Sequence, residues 1–367
     1  MSNLCIPYRL KGYTKSEYCY ILDSNNFICR WGENSMDKCT SCNPTKLFYK
    51  ILISGESNLT HLPQLHSFLK NNGLLVNARN NIIVVKETAV AGLYDYFSDV
   101  MDIKSIYFKV DGGEWKPINE VFELLELKWI DQVILKNNVT FHIQPIVTKN
   151  QEVFAYEMLA RFQDDNGNSV APSKVFSAAK KRNRTYALDR VCRMAAVRNA
   201  TAIQKKVFIN FIPTSIYSPE HCLRTTVQLA NQLGIPFSQL VFEVVETESV
   251  DDIEHLKKIL TYYRDRGLHY ALDDVGVGFS TIEVLEQLMP NYMKLDMKFV
   301  QGVSDDPTKQ ATAKKFLSAA LQVGAIPLAE GIEEREDFEW LKEVGYELFQ
   351  GYLFGKPAPI PTDLAKR

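Results

Sequence analysis

Two adjacent carboxylates, Asp273 and Asp274, stand at the end of a short apolar segment and precede a loop with two glycines. The alternation over residues 269–272 predicts a buried strand. Neighbouring strand residues point to opposite faces, so one carboxylate would line a central site and the other would reach it only from the strand's end. Serine is common at helix N-termini, so a helix is predicted to start at Ser280. Taken alone, such a pair is more typical of a surface turn that caps a helix.

The surrounding chain supplies a frame for this pair. From residue 140 onward, strand-like and helix-like segments alternate, with helices over 189–204, 251–266 and 309–323, for example. The strand-like segments are 140–147, 153–161, 206–211, 240–246, 268–273, 292–295, 326–329 and 348–349. Eight strands with intervening helices predict an α/β fold, a TIM-like (β/α)8 barrel in which chemistry gathers at the carboxyl ends of the strands.

Polar residues recur at or near the ends of these predicted strands. They are Glu157, Asn210, Glu243, Glu246, Asp273, Asp274, Lys294, Asp296, Glu330 and Gln350. Singly, each has an ordinary explanation as a solvated carboxylate or a turn cap. Together they predict an oxygen-rich cluster that suits Mg²⁺ or Mn²⁺, and the absence of recurring His or Cys argues against zinc there. The lysine among the carboxylates favours an anionic substrate or a metal-bound hydroxide.

The stretch from Glu157 to Gln350 resembles the EAL family of cyclic di-GMP phosphodiesterases, with Glu157-Met158-Leu159 in place of the signature Glu-Ala-Leu. The further matching blocks are Gln144-Pro145-Ile146, Asn210, Glu243-Val244-Val245-Glu246, Asp273-Asp274, Lys294-Leu295-Asp296, Ala329-Glu330-Gly331-Ile332-Glu333 and Gln350-Gly351-Tyr352. The resemblance covers about residues 130–360 and does not extend to the first 130. The chain shows no Gly-Gly-Asp-Glu-Phe motif of diguanylate cyclases.

The resemblance implies a two-metal hydrolytic site that converts cyclic di-GMP to linear pGpG. One Mg²⁺ or Mn²⁺ would be held by Glu157, Asn210, Glu243 and Asp273, and a second by Asp273, Asp274 and Glu330. Lys294 would hold the attacking hydroxide or stabilise charge on the scissile phosphate. Glu330 would act as general base if a single metal is bound.

The resemblance also implies roles around this centre. Glu246 would anchor the loop 275–279, which would connect metal occupancy to a dimer face. Leu159 would pack near the substrate, and Arg161 would contact a phosphate. Asp189 would accept hydrogen bonds from a guanine edge. Glu333 and Gln350 would orient ligands near the substrate.

Two alternatives to this enzyme stay open at this point. Some EAL-like domains bind cyclic di-GMP without cleaving it, or act through protein contacts alone, and such domains usually lack a metal ligand or the lysine. The other alternative is an unrelated metal-dependent barrel enzyme that acts on another phosphoester. The family commonly dimerises through the barrel, which implies a homodimer.

The first 116 residues predict a smaller α+β domain with a sensory or regulatory role, or with a protein partner of its own. Strands are predicted over 47–54, 81–86, 105–110 and 114–118, and helices over 61–71 and 89–100. Five cysteines fall in the first 42 residues: Cys5, Cys19, Cys29, Cys39 and Cys42. A structural zinc, a redox-sensing thiol pair and ordinary reduced cysteines are the alternatives for them.

Residues 117–136 predict a connecting helix, because apolar residues recur there at helical spacing and Pro117 suits a first helical turn. It would pack on its own domain, or transmit a signal or pair with its twin in a dimer. The barrel would then span 137–367. A net charge of −2 gives no general reason to bind a nucleic acid polymer or an anionic membrane. The absence of an apolar signal segment or membrane span predicts a cytoplasmic protein.

Overall fold

A computed structural model describes residues 20–23, 26–29, 47–110, 113–164, 166–213, 216, 218–244, 253–278 and 280–361. Its first elements form a two-stranded antiparallel pair, β1 (Tyr20–Asp23) and β2 (Asn26–Cys29), described at the level of the backbone. The side chains of all five cysteines in this region lie outside the described residues, and so does the predicted zinc site.

The smaller N-terminal domain is built on a five-stranded antiparallel sheet in the order β4-β5-β3-β6-β7. Its elements are β3 (Phe48–Ile53), α1 (Glu56–Leu59), α2 (Leu62–Asn71), β4 (Leu75–Arg79), β5 (Ile82–Lys86), α3 (Val90–Val100), β6 (Ile106–Val110) and β7 (Lys116–Pro117). Tyr49, Ile51 and Ile53 alternate along the central strand and are fully buried under the helices. The predicted α+β fold is confirmed, although strand β4 had no counterpart in the sequence prediction.

The prediction of one connecting helix over 117–136 is wrong. Pro117 ends strand β7, where it pairs with Tyr107, and two shorter helices follow, α4 (Val121–Glu126) and α5 (Trp129–Lys136). Leu127 leaves the helical conformation with φ −82° and ψ 7°, so the chain turns between the two helices. The apolar periodicity is present on both helices, but each packs in a different core.

The larger domain is a closed barrel of eight strands in the described chain, with helices around it. Its elements are β8 (Val139–Thr148), β9 (Val153–Gln163), β10 (Ser169–Val170), α6 (Pro172–Lys181), α7 (Thr185–Ala200), β11 (Lys206–Phe211), α8 (Pro219–Cys222), α9 (Arg224–Gln232), β12 (Leu240–Val244), α10 (Ile253–Arg264), β13 (His269–Val275), α11 (Ile282–Leu288), β14 (Tyr292–Leu295), α12 (Met297–Val300), α13 (Pro307–Val323), β15 (Ile326–Ala329), α14 (Arg335–Val344), β16 (Leu348–Gln350) and β17 (Ala358–Pro359). The predicted strands 206–211, 292–295 and 326–329 are confirmed to the residue.

Closure of the barrel depends on its first strand. The strand β8 pairs with both β9 and β16 and runs antiparallel to both. The other neighbouring barrel strands, β9 and β11 to β16, are parallel. The fold is therefore a TIM-like α/β barrel with one reversed strand. Among the described helices, none is both long and apolar enough to cross a membrane.

Candidate active site

One apolar side chain from each barrel strand fills the centre of the barrel, and a polar residue stands two positions away from each. The central layer consists of Ile146, Ala155, Phe208, Val241, Ala271, Tyr292, Leu328 and Leu348, all essentially inaccessible to solvent. Because side chains two apart share a face, the next layer towards the carboxyl rim is Glu157, Asn210, Glu243, Asp273, Lys294, Glu330 and Gln350. The reversed strand β8 contributes Gln144, which precedes its apolar residue instead of following it. Strand alternation alone thus assembles the cluster over an apolar floor.

A β-bulge explains how Asp273 and Asp274 serve one site. Leu272 pairs with Met293 and Val275 with Leu295, so two residues of β13 lie opposite the single residue Lys294. Asp274 adopts a left-handed conformation with φ 50°. The bulge removes the strict alternation that would have turned the second carboxylate away.

The end of the bulged strand is held by a serine instead of being followed directly by a helix. Ser280, 1% exposed, donates its hydroxyl to the Asp273 carbonyl at 2.9 Å. The helix α11 begins two residues later, with Thr281 as its N-cap accepting from Val284 N. The prediction that Ser280 starts this helix is therefore wrong. Thr281 caps the helix, and the Ser280 hydroxyl instead bonds the strand that carries Asp273.

Lys294 lies at the centre of the carboxylate cluster and is 1% exposed. Its Nζ is 2.5 Å from Glu243 Oε1, 2.6 Å from Glu330 Oε1 and 2.9 Å from Asp273 Oδ1. Burial by itself would lower the pKa of Lys294, but the surrounding carboxylates outweigh burial and raise it. The ammonium therefore stays charged and is the cation that holds these three carboxylates together.

The carboxylates around Lys294 carry more negative charge than its single ammonium can balance. Burial raises the pKa of Glu243 well above its usual range, opposed by Lys294 and reinforced by neighbouring carboxylates. The pKa of Glu330 is raised in the same way. With Glu157, Asp273 and Asp274 included, five carboxylates face one ammonium, a formal excess of four negative charges when all are ionised. Such a cluster must take up protons or bind cations.

Glu157 belongs to a buried chain of hydrogen bonds between amide side chains. Its Oε1 accepts from Asn210 Nδ2 at 3.2 Å, and its Oε2 accepts from Gln350 Nε2 at 2.6 Å. Gln350 Nε2 also donates to Gln144 Oε1 at 3.2 Å, and Gln144 Nε2 donates to the Gly355 carbonyl at 3.1 Å. These bonds orient Glu157 from both sides.

Several acceptor atoms in this cluster suit a divalent cation. Among the described residues no donor reaches Asn210 Oδ1 or Glu243 Oε2, although both atoms are buried, and such orphaned acceptors are costly without a partner. Ligand atoms of Asp273, Asp274 and Glu330 lie within 4.8 Å of one another. Carboxylate and amide oxygens are what Mg²⁺ and Mn²⁺ prefer, so the residues present fit such ions.

A pocket of about 280 Å³ opens above this layer. It is lined by Gln144, Glu157, Asp273, Asp274, Lys294, Asp296, Met297, Glu330, Gly331, Glu333, Gln350, Gly351 and Tyr352. Asn210 and Glu243 belong to the same polar layer but do not line the pocket. The predicted residues Glu333 and Gln350 are on its wall, where Glu333 Oε1 accepts from Gln301 Nε2 at 3.4 Å. The sequence identifies Gln144 only as part of the block Gln144-Pro145-Ile146. The structure shows that its side chain accepts a hydrogen bond from Gln350.

The remaining predicted residues divide into three cases. Leu159 and Arg161 lie beyond Glu157 on the same face of β9, and the Arg161 guanidinium donates to the Ala160 carbonyl at 3.0 Å. Asp189 is 3% exposed and is not on the pocket wall. Its carboxylate accepts hydrogen bonds from Arg193 and from Ile212 N, so both of its oxygens already have a donor within the protein. Glu246 and most of its neighbourhood lie outside the described residues.

A glycine controls how closely two rim segments approach. Gly351 follows Gln350, and a Cβ built on it would lie 1.9 Å from the Ile332 carbonyl oxygen. Ile332 N donates to the Gln350 carbonyl at 3.0 Å, and Leu353 N donates to the Ile332 carbonyl at 3.1 Å. A side chain at Gly351 would force apart the segments that carry Gln350 and Glu330.

We predict that Gly351→Ala lowers the free energy of unfolding by about 1–3 kcal/mol, as overpacking does. Thermal or urea unfolding measures the loss. Gly92→Ala in helix α3 is the matched control, because an added Cβ there meets nothing within 4 Å and helix propensity favours alanine. Equal stability of the two variants would contradict the assigned packing role of Gly351.

A second prediction concerns pH. Burial, followed by the charge of Asp273, raises the pKa of Asp274 from 3.8 to about 7. Between these values the folded protein keeps a proton that the unfolded chain releases, so unfolding becomes easier as pH rises. We expect metal-free protein to lose stability between pH 5 and 7, by at most about 1.4 kcal/mol per pH unit from this group.

Unfolding in urea with a chelator at pH 5.5, 6.5 and 7.5 measures this dependence. Asp274→Asn removes the titrating group and is expected to flatten the decline. Parallel pH curves for the variant and the parent protein would show that Asp274 does not titrate in this range.

Comparison with known proteins places the barrel in a known group. The family model described as EAL domain matches residues 128–357. The cyclic di-GMP phosphodiesterase PdeB of Shewanella oneidensis is 26% identical over 259 residues, which are 64% of this chain and 28% of the relative. The probable cyclic di-GMP phosphodiesterase PdeG of Escherichia coli is 29% identical over 233 residues, 61% of this chain and 45% of the relative. The chain thus spans less than half the length of these curated relatives.

Solved structures agree with this assignment. A standalone EAL protein from Vibrio cholerae O395, in its c-di-GMP-bound form, is 33% identical and covers 62% of this chain and 98% of its own, with a TM-score of 0.54. Klebsiella pneumoniae BlrP1, in a calcium and cyclic di-GMP complex, is 22% identical with a TM-score of 0.54. It covers 85% of this chain and 96% of its own, so its similarity in fold extends beyond residues 128–357 into the N-terminal domain.

Proposed function

The chain belongs to the EAL domain family, and from this premise we propose that it hydrolyses cyclic di-GMP to linear pGpG with the help of bound Mg²⁺ or Mn²⁺. The curated relatives at 26% and 29% identity are named a cyclic di-GMP phosphodiesterase and a probable cyclic di-GMP phosphodiesterase, and the Vibrio cholerae neighbour is a c-di-GMP-bound form. The proposal also rests on the arrangement of this chain's own residues.

The observation that carries the proposal is the layer of ligands above the apolar floor of the barrel. Each position that the family resemblance implies for metal binding has an oxygen ligand, and the described rim lacks none of them. Asn210 Oδ1 and Glu243 Oε2 are buried acceptors without a donor in the described chain, and the cluster carries a formal excess of four negative charges. Two divalent cations would neutralise that excess.

The same residues have distinct roles in the proposed reaction. Glu157, Asn210, Glu243 and Asp273 would hold one cation, and Asp273, Asp274 and Glu330 the other. Bound there, the cations would supply Lewis acidity and lower the pKa of coordinated water. In the proposed step one water adds to phosphorus, one P–O3′ bond breaks, and the linear dinucleotide keeps a 5′-phosphate.

If a single cation is bound, Glu330 would instead accept the proton of the attacking water. Its side chain is at the pocket edge, 16% exposed, and burial raises its pKa above the usual range of a glutamate, which favours proton uptake. Lys294 would stabilise the negative charge that grows on the phosphate oxygens. Cations held by Glu243 and Asp273 would take over those carboxylates and free the Lys294 ammonium for this role.

The substrate would lie in the pocket above these groups. Glu333 and Gln350 line the wall, and Leu159 and Arg161 extend along β9 beyond Glu157, where a guanidinium fork suits a phosphate. Met297 and Tyr352 add apolar surface on the same wall, which a guanine base can cover.

Incubation of the full chain with cyclic di-GMP and Mg²⁺ or Mn²⁺, followed by chromatography, tests the proposal. We expect pGpG with either metal and none in the presence of a chelator. Absence of pGpG with both metals, from protein that retains its fold, would reject the enzyme. Tight binding of cyclic di-GMP without turnover would instead establish the alternative of a silent receptor.

Further properties complete the proposal. We propose a homodimer in the cytoplasm whose barrel is regulated by the N-terminal domain, with no role for a nucleic acid polymer. Light scattering of the purified chain measures its mass in solution, and a monomer would reject the dimer.

A further inference from the structure

A buried group of charges joins the N-terminal domain to the barrel. Arg182 occupies the turn between α6 and α7 and is fully buried. Its Nη2 contacts Asp131 Oδ2 of helix α5 at 2.5 Å and Glu87 Oε1 at 2.9 Å. Glu87 follows strand β5 and therefore belongs to the N-terminal domain. We call Glu87, Asp131, Arg182 and Arg184 the charged junction.

The charged junction has further contacts within itself and with the N-terminal domain. Arg184 Nε contacts Asp131 Oδ1 at 3.0 Å, and Arg182 Nη1 donates to the Leu124 carbonyl of α4 at 2.6 Å. Glu87 Oε1 also accepts from the Tyr49 hydroxyl of strand β3 at 3.1 Å. The junction is thus continuous with the central strand of the N-terminal sheet.

Arg182 is paired with a carboxylate from each side of the junction. In the described part of the chain these are Asp131 of α5 and Glu87 of the N-terminal domain. Arg182 is 0% and Arg184 2% exposed. Removing one partner of a buried ion pair is strongly destabilising, because the other charge stays desolvated. The barrel surface at this turn is therefore built to receive a carboxylate from the N-terminal domain.

The junction lies at the start of the helix that braces a metal-ligand strand. Helix α7 begins directly after Arg184. Asp189 in its second turn accepts a hydrogen bond from the Ile212 amide at 2.9 Å. The other oxygen of Asp189 is held by buried Arg193 at 2.7 Å. Ile212 follows the last residue of β11, and Asn210 is near the end of that strand.

We propose that Glu87 makes the N-terminal domain a positioning element of the active site. Docking of Glu87 on Arg182 holds the start of α7, and α7 holds the end of β11 through Asp189, which places Asn210. The barrel then reaches its competent geometry only with the N-terminal domain docked. The catalytic consequence rests on the proposed hydrolysis, whereas the positioning itself does not.

The test uses the full chain with Glu87→Gln, which keeps the size of the side chain and removes its charge. Hydrogen exchange of the segment 206–213, measured without metal, reports the Ile212 amide directly. We expect at least about fivefold faster exchange in the variant, within the range of coupling between sites. Apparent Mn²⁺ affinity and kcat for cyclic di-GMP are expected to fall at least about fivefold.

Three further variants make the outcome decisive. Glu339→Gln, which removes an exposed carboxylate paired with Lys342, controls for loss of charge and should change none of these readouts. Glu87→Asp should restore part of the protection of Ile212, because it restores the charge. Tyr49→Phe removes only the hydroxyl donor to Glu87 and replaces Glu87→Gln as the test variant if that protein does not fold. We expect a smaller increase in the exchange of Ile212.

Lower thermal stability of Glu87→Gln with unchanged exchange at Ile212 would overturn the proposal, since the junction would then act only as structural support. The exchange measurement needs neither substrate nor metal. A parent protein that fails to hydrolyse cyclic di-GMP would therefore reject the proposed function and leave this test intact.

Discussion

Lys294→Met is expected to lower the turnover of cyclic di-GMP by roughly 10³-fold or more, the loss typical of removing a group that stabilises transition-state charge. Methionine fills a similar volume, so packing against the apolar floor is kept. The ammonium that contacts Glu243, Asp273 and Glu330 is lost, and no other lysine or arginine lines the described pocket.

The same substitution should leave metal binding intact. In the metal-free protein Lys294 occupies the acceptors that cations would use, so its removal ends that competition. Breaking a buried ion pair costs about 3–5 kcal/mol, although proton uptake by Glu243 and Glu330 offsets part of this, least at high pH. We therefore expect a lower melting temperature without metal, and a rise on adding Mn²⁺ at least as large as in the parent protein.

Lys206→Met is the matched control for this prediction. Lys206 begins strand β11 at the opposite rim, where its Nζ donates to the Ser238 carbonyl. Its replacement should leave kcat unchanged. A Lys294→Met protein with near-parental turnover would show that the buried lysine is a structural counter-ion and has no part in the reaction.

Glu157→Ala is expected to lower strongly both the turnover and the stabilisation by Mn²⁺. The substitution removes a proposed metal ligand and leaves the amides of Asn210 and Gln350 without their shared acceptor. We expect turnover to fall by roughly 10³-fold, as for other centres that lose a preorganised charge. Stabilisation by a bound ion follows its affinity, so the Mn²⁺-induced rise in melting temperature should shrink with it.

The two substitutions are thus separated by one measurement. Loss of turnover with the Mn²⁺ effect preserved identifies Lys294 as acting on substrate, and loss of both identifies Glu157 as a ligand. Glu347→Ala, which removes an exposed carboxylate just before strand β16, is the control and should change neither. A Glu157→Ala protein that keeps the full Mn²⁺ effect would contradict the assigned ligand set.

Several strands were predictable because their burial makes them distinct in sequence. Residues 206–211, 292–295 and 326–329 are short, largely apolar runs, and the observed strands coincide with them. Strand β4 (Leu75–Arg79) was missed because Asn77 and Arg79 weaken its pattern. It forms at the edge of the sheet through pairing with β5, which no local signal reports.

The break between α4 and α5 has a tertiary cause of the same kind. Apolar spacing over 117–136 satisfies a continuous helix, and local propensity does not contradict it. The chain bends there because α4 packs in the core of the N-terminal domain and α5 in the core of the barrel. Arg182, 58 residues downstream, donates a hydrogen bond from Nη1 to the Leu124 carbonyl near the end of α4.

The sequence by itself determined the barrel, its family resemblance and the polar layer, because side chains two apart in a strand share a face and apolar centres are followed by polar ends. Tertiary structure decided three things. The bulge at Asp273 and Asp274 turned both carboxylates to one site, and the reversed strand β8 delivered Gln144 to Glu157 through Gln350. Docking of the N-terminal domain brought the Glu87 carboxylate to the buried Arg182. Each depends on contacts between residues far apart in the chain, and local pattern carries no information about such contacts.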